Sequence, residues 1–347
     1  MAYILKIMTP KDRFDIIKRN TDEIITEEEL MKLLETKKKP AVYLGTAITG
    51  KPHIGYYVWV IKLSDFLKAG FRVKLLLADM HGALDNTPWE LLNKRYEYYS
   101  IVIPAMFESI GADITNFEIV KGSDFEKSEN YFFDMLKFST IATIHDCKKA
   151  ASEVVKQSDN PKLSGLIYPI MQALDEEYLE VDIQYGGVDQ RKIFMFAREH
   201  LPKIGYRSRI EVMTPLIPGL IGEKMSASIE DSKIDLLDNT ETIKRKFSKA
   251  YCPEGEIEGN GVVSFIKHVL MVVKENMGEE FVISRPEKWG GTLKYKSYSD
   301  FEKDYIAKKV HPQDIKNALA QEIDKMLTPI RKAMQGKEKL IKEAYPN

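Results

Sequence analysis

The segment Val42 to Tyr57 reads Val-Tyr-Leu-Gly-Thr-Ala-Ile-Thr-Gly-Lys-Pro-His-Ile-Gly-Tyr-Tyr and leaves the chain few ways to fold. The apolar run Val42-Tyr43-Leu44 predicts a buried strand that stops at Gly45. Gly50 and Pro52 follow, and a helical pattern runs from about His53 to Lys68. A strand, a glycine-bearing turn and a helix start direct free backbone N–H groups and the positive end of a helix dipole at one point, which suits phosphate. Pro52 fits the first helical turn, where its missing N–H costs nothing. Three readings compete. The first is an ordinary strand-to-helix connection. The second is a P-loop, because Gly45 to Lys51 satisfies G-x-x-x-x-G-K; Pro52 then stands where a Ser or Thr hydroxyl would hold magnesium, which counts heavily against it. The third rests on His53-Ile54-Gly55-Tyr56: a histidine there can donate a hydrogen bond to phosphate, and Gly55 lets a flat ring approach the backbone.

A chain of 347 residues can bury a sizeable core and predicts two domains. Two cysteines, Cys147 and Cys252, give no disulfide framework and point to a reducing compartment rather than secretion; a cytoplasmic protein is expected. No signal peptide is expected, since Lys6, Lys11, Asp12 and Arg13 interrupt the start. No run approaches the roughly 20 apolar residues of a membrane helix, so no membrane partner is expected. With a net charge of −1, contact with nucleic acid must come from a local basic patch.

Thr26-Glu27-Glu28-Glu29 is a capping box that opens a helix ending before Pro40. Val73 to Ala78 reads as the next strand, with Asp79 and His81 just past its end. Pro88 to Ile110 reads as a long helix and Phe117 to Val120 as a third strand. This alternation predicts an α/β fold with a doubly wound parallel sheet and ligands at its C-terminal edge. Tyr131 to Ile144 interrupts it with one aromatic-rich helix, either a core helix or a subunit interface on an insertion. His145, Lys148, Lys149 and Lys156 follow as a small basic patch of the kind that is ordinarily a solvated face.

Tyr168 to Leu179 reads as a helix with Pro169 in its first turn. Ile167, Met171, Leu174 and Tyr178 form one stripe, and Tyr168, Gln172 and Asp175 an adjacent one. Glu176, Glu177 and Glu180 supply the exposed charges elsewhere, so the second stripe predicts a pocket wall. The strand Val181 to Tyr185 leads into Gly186-Gly187-Val188-Asp189-Gln190-Arg191, a second glycine turn. Thr214 to Ser228 holds two prolines and two glycines before Lys224-Met225-Ser226-Ala227-Ser228, which predicts a mobile loop that brings an ammonium to a polyphosphate.

Taken together, these residues resemble the tyrosyl-tRNA synthetases of class I, of the archaeal and eukaryotic kind. His53-Ile54-Gly55-Tyr56 looks like the HIGH region and Lys224 to Ser228 like the KMSKS region. The likeness runs from about Asp12 onward and includes Arg285 to Gly291 and His311 to Asp314. It implies a Rossmann-like catalytic domain over 1–237, with an insertion at about 121–165 for dimer and acceptor-stem contacts. An α-helical anticodon-binding domain over 238–347 is implied as well; the residues themselves offer Asp238 as the cap of its first helix, with Glu241 three residues on. The implied reaction joins L-tyrosine to ATP, giving tyrosyl-adenylate and pyrophosphate, and then passes tyrosyl to the 3′ adenosine of tRNA(Tyr). By resemblance Tyr43 and Asp175 hold the substrate phenol, while Tyr168, Gln172 and Gln190 hold its amino group. Gly45, Gly50, His53, Gly55, Gly186 and Gly187 frame ATP, joined by Lys224, Met225, Ser226 and Ser228. His53 and Lys224 are the implied catalytic residues, acting on phosphates that carry Mg²⁺. Lys149 matches a contact to the first acceptor pair, Trp289 a stack on the first anticodon base, and Asp314 a hydrogen bond to that base. A homodimer is implied. Tyr56 departs from the last His of HIGH in the manner of eukaryotic members. Ala227 replaces a mid-loop Ser or Lys, which predicts slower activation. The nearest alternative is a tryptophanyl-tRNA synthetase, against which a phenol-binding Tyr43–Asp175 pair argues. A catalytically idle RNA-binding relative stands further off, because His53 and Lys224 are intact.

Overall fold

The computed structural model describes residues 8–154, 162–220 and 233–346. Lys156 and the segment with Lys224, Met225, Ser226, Ala227 and Ser228 lie outside the described residues. Among the described residues six strands form the main sheet: β1 (Glu23–Ile25), β2 (Ala41–Ala47), β3 (Arg72–Ala78), β4 (Phe117–Lys121), β5 (Ile183–Gly187) and β6 (Ile210–Thr214). Their order is β1-β6-β5-β2-β3-β4. All neighbours pair in parallel except β1, which runs antiparallel on the β6 edge. The parallel doubly wound sheet is as expected; the short antiparallel edge strand is an addition, too brief to show a period-2 pattern in sequence.

The central strand is longer than its apolar run. β2 continues through Gly45 to Ala47 because those residues stay paired with Leu76, Leu77 and Ala78 of β3. Gly45 is therefore a strand residue, and the P-loop reading loses its first glycine. A 3₁₀ turn over Ile54–Tyr56 then precedes the helix proper, so Pro52 lies before the helix rather than in its first turn.

The helices of the first half are α1 (Pro10–Lys18), α2 (Glu27–Thr36), α3 (Tyr57–Lys68), α4 (Asp79–Leu84), α5 (Leu92–Ser109), α6 (Glu129–Ser139), α7 (Ile144–Ala151), α8 (Ser164–Tyr178) and α9 (Arg191–His200). The capping box at Thr26 and Glu29 forms as expected. The segment Tyr131 to Ile144 is two helices, not one. Thr143 accepts from the Asp146 N–H while Asp146 reaches back to Thr143, and this second capping box starts α7 afresh. α8 begins at Ser164, so Pro169 sits inside it rather than in the first turn. Glu176 is fully buried, not an exposed charge.

The second half is mostly helical: α10 (Thr240–Lys249), α11 (Gly261–Phe265), α12 (Met271–Met277), α13 (Tyr298–Ile306), α14 (Pro312–Ala333) and α15 (Glu338–Ala344). A π turn over Ile266–Leu270 joins α11 to α12, and β7 (Phe281–Ile283) pairs antiparallel with β8 (Leu293–Tyr295). Asn239, not Asp238, caps α10 by accepting from the Thr242 N–H. Asp238 instead accepts from the Asp235 N–H and from Lys246. α14 buries Ile315, Leu319, Ile323, Leu327 and Ile330 completely. Their helical spacing turns one face onto α5 and α10, each side chain contributing about 1.5–3 kcal/mol. One continuous apolar core holds residues from both halves, Val42 and Tyr57 together with Leu319 and Leu327. No helix among the described residues is long and apolar enough to cross a membrane.

Candidate active site

The sheet order reverses beside β2: β3 follows on one side, β5 on the other. A cleft opens there at the C-terminal ends of the strands, where such sheets bind ligands. It has two lobes of about 280 and 310 Å³ that share Gly45, Thr46, Gln172, Asp189 and Gln190.

The inner lobe gathers the expected pocket wall. Tyr168, Gln172 and Asp175 face it from α8, Tyr43 from β2 and Gln190 from the turn after β5. Tyr43 is nearly fully buried; its hydroxyl accepts from Gln184 Nε2 at 2.7 Å and donates to the Gln172 carbonyl at 3.3 Å. Burial, then the charges of Asp175 and Glu176, push its ionisation well up, so it stays a protonated phenol. Gln172 Nε2 donates to Gln190 Oε1 at 3.1 Å, which fixes the two amides against each other. Asp175 accepts from the Tyr131 hydroxyl at 2.8 Å. Burial first, and then the charge of Glu126, push its carboxyl up to about 8. A hydroxyl and a buried carboxyl side by side are what a phenol needs, and both lose a partner if the ring arrives without its oxygen.

From the sequence alone Gln184 and Glu126 carry no role, Tyr131 is only the start of an aromatic helix, and His81 is only a residue past a strand end. Gln184 had a signal: it is the polar residue in an apolar strand, and β2–β5 pairing sets it beside Tyr43. Tyr131 and Glu126 had none, because both arrive from a segment distant in sequence.

The outer lobe is lined by Gly45, Thr46, His53, Gly55, Tyr56, Gly186 and Gly187. His53 stands before the 3₁₀ turn, where its Nδ1 accepts from the Gly55 N–H at 3.2 Å. Burial, then the charge of Lys233, push its pKa down to about 4. His53 is thus neutral, with its proton on Nε2, free to donate toward a phosphate. The chain returns to this point from residue 233: the Ile54 N–H donates to the Ile234 carbonyl at 3.0 Å, and His53 bridges to Asp235. Gly186 is needed for space, since a Cβ there would lie 2.8 Å from Phe194 and 3.0 Å from the Gln190 side chain. Gly50 does not line either lobe. Its carbonyl accepts from Tyr99 at 2.6 Å and Tyr345 at 3.0 Å, so it braces the turn from behind.

Residues 35–328 match the family of class I tRNA synthetases for W and Y. Over 341 residues the chain is 44% identical to a tyrosine–tRNA ligase of Haloarcula marismortui, covering 98% of each. The chain belongs to the tyrosyl-tRNA synthetase family. A cytoplasmic tyrosine–tRNA ligase of Gallus gallus is 51% identical over 342 residues; the match takes 97% of this chain but spans only 64% of that relative's length. The crystal structure of the Archaeoglobus fulgidus tyrosyl-tRNA synthetase, complexed with L-tyrosine, superimposes with a TM-score of 0.88 at 37% identity, covering 94% of this chain and 99% of that one.

The other expected positions of this synthetase-family chain lie away from the cleft. Lys149 is exposed on α7, beside a groove shared with Arg191 and Lys192 of α9. Trp289 is 66% exposed in its turn. Asp314 lies in the first turn of α14. Arg285 donates to the Gly291 and Lys309 carbonyls at 2.8 and 2.9 Å, tying the Trp289 turn to the segment that enters α14. On α6, Phe132, Phe133 and Leu136 are 55%, 59% and 46% exposed, and Ile144 of α7 is 66% exposed. Tyr131 and Phe138 face inward, so the aromatic segment serves the core on one side and presents an apolar face on the other.

Proposed function

We infer that this chain is a tyrosine–tRNA ligase, and the pocket of Tyr43, Asp175, Gln172 and Gln190 carries that reading. L-tyrosine enters the inner lobe with its phenol between Tyr43 and Asp175 and its ammonium toward Tyr168, Gln172 and Gln190. ATP occupies the outer lobe over Gly45, Gly55, Gly186 and Gly187. Its magnesium travels as part of the substrate: Asp189 is the single carboxylate lining that lobe among the described residues, too few for a protein cage. The amino-acid carboxylate is already ionised and attacks the α-phosphorus, so the protein has to align the two and stabilise charge. His53 Nε2–H suits the phosphates as a neutral donor, and Lys224 is assigned to the leaving pyrophosphate. Tyrosyl then passes to the 3′ adenosine of tRNA(Tyr). The exposed apolar face of α6 and α7 suits a second copy, giving a homodimer. The groove at Lys149 suits the acceptor end, and Trp289 with Asp314 in the 238–347 domain suits an unstacked anticodon base. The cytoplasm is the compartment that fits the named relatives.

ATP–pyrophosphate exchange with tyrosine, phenylalanine and tryptophan offered separately tests the reading. Exchange with tyrosine alone is expected. Exchange with tryptophan would overturn the pocket assignment, and no exchange with any of the three would leave an RNA-binding relative.

A further inference from the structure

Behind the phenol site lies a layer that the proposed reaction leaves unused. His81 of α4 and Glu126, just after β4, are buried to 2% and 6% exposure. His81 Nδ1 lies 3.3 Å from Glu126 Oε1, and His81 Nε2 lies 3.8 Å from Asp175 Oδ2. Neither ring nitrogen and neither Glu126 oxygen meets a well-aligned hydrogen-bond partner. Tyr168 stacks edge-on against the imidazole at 4.6 Å. An imidazole thus stands between two buried carboxyl groups, one of which faces the cleft.

We propose that His81, held by Glu126, is the counter-charge against which Asp175 ionises to accept the substrate phenol. This rests on the assignment of tyrosine to the inner lobe. Two carboxylates this close cannot both ionise in a dry site without a cation between them. Among the described residues, the other groups facing the trio do not supply one. Tyr43 from β2, Tyr131 from α6 and Tyr168 from α8 are protonated phenols whose ionisation burial pushes up. Asp79 of α4, Asp85 just after that helix and Glu176 of α8 add negative charge or a neutral acid. Lys121 of β4 lies 4.0 Å from Asp79 and answers that carboxylate instead. Burial alone would lower the imidazole's pKa, but Glu126, Asp175 and Asp79 together raise it, in keeping with an imidazolium. His81 is on this account a positioning residue that acts through Asp175.

The test is the pH dependence of tyrosine activation, followed by ATP–pyrophosphate exchange. In the unaltered protein kcat/KM for tyrosine should rise between pH 6 and 8.5, while KM for ATP stays flat. A flat tyrosine profile would overturn the proposal even if every variant failed to fold. His81→Gln leaves Glu126 and Asp175 facing each other without a cation. KM for tyrosine at pH 7 should rise about tenfold or more, recover toward pH 8.5–9, and move further than kcat; a shift of one pH unit corresponds to that factor. The double variant His81→Gln with Glu126→Gln removes the repulsion too, so it should bind tyrosine better than the single variant. A role in packing alone makes the double variant no better than the single one, and that result would overturn the proposal. Asp175→Asn separates the two levels: if it leaves KM for tyrosine unchanged, the assignment of tyrosine to this lobe is itself wrong.

Discussion

A methyl group added at Gly186 has nowhere to go. Its nearest neighbours are the Phe194 ring and the Gln190 side chain, and Gln190 is the residue that holds Gln172. Gly186→Ala should therefore displace the amide pair and cut kcat/KM for tyrosine on the order of 100-fold, with a smaller effect on thermal stability. Steady-state kinetics beside a melting curve would show the split. At this scale the pocket was legible where chemistry is unusual for its place. Tyr168, Gln172 and Asp175 stood out as an uncharged hydrogen-bonding stripe on a helix that carries its glutamates elsewhere. Glu176 misled that same reading, because it is buried beside Arg209 and Glu211, which arrive with β6 from a segment distant in sequence, and nothing local announces it. Gly50 misled it differently: the motif spacing held, but Tyr99 and Tyr345 take its carbonyl from outside the cleft.

Elements begin and end where caps satisfy backbone groups, and the misplaced boundary before α7 had a readable cap. Thr143-Ile144-His145-Asp146 carries the same box as Thr26 to Glu29, yet the apolar run across it suggested one helix. Thr143→Ala should cost about 1 kcal/mol, measured by urea unfolding, and loosen α7 around Lys149. α8 shows the opposite case. A proline usually marks a first turn, but Ser164 to Tyr168 extend the helix ahead of Pro169, and Leu166, Ile167 and Tyr168 pack there on the insertion core. Two histidines give the elements a dependence on pH. His53 and His268 of the π turn are both pushed down to about 4, mainly by burial. Their unfolded values lie near 6.5, so the unfolded chain binds more protons between the two. The stability they contribute is complete above pH 6.5 and is lost as the pH falls toward 4. Urea midpoints should fall across that window, and His268→Gln should flatten the fall.

The molecule as a whole is organised by the reversal of strand order beside β2; the reversal itself is not written in the sequence, but the strand–turn–helix segment that carries β2 was its most legible feature. One strand–turn–helix segment with alternating strands around it fixes where a ligand must sit. What lay beyond reach was the pairing of surfaces. The exposed Phe133 and Ile144 were recognisable as apolar but not as outward-facing until the packing of α6 was known. If a second copy covers that face, Phe133→Asp should shift the protein toward monomer in sedimentation, at a loss of about 2–3 kcal/mol per buried ring. The chain's two halves meet through more than apolar contact. The Tyr57 hydroxyl, at the start of α3, donates to the Met326 carbonyl of α14 at 3.2 Å and bonds Ser109 at 2.7 Å. Arg95 of α5 spans from the Thr49 carbonyl of the signature turn to the Ala344 carbonyl of α15. Recombination would expose what these bonds mean. A hybrid joined near residue 237 to the second half of a relative inherits one side of each contact and must find the other by luck. Substitutions in α14 and in the turn that carries His53 are thus expected to be accepted in pairs, so that the passage from the α/β half to the helical half is not a place at which the sequence can be cut and exchanged.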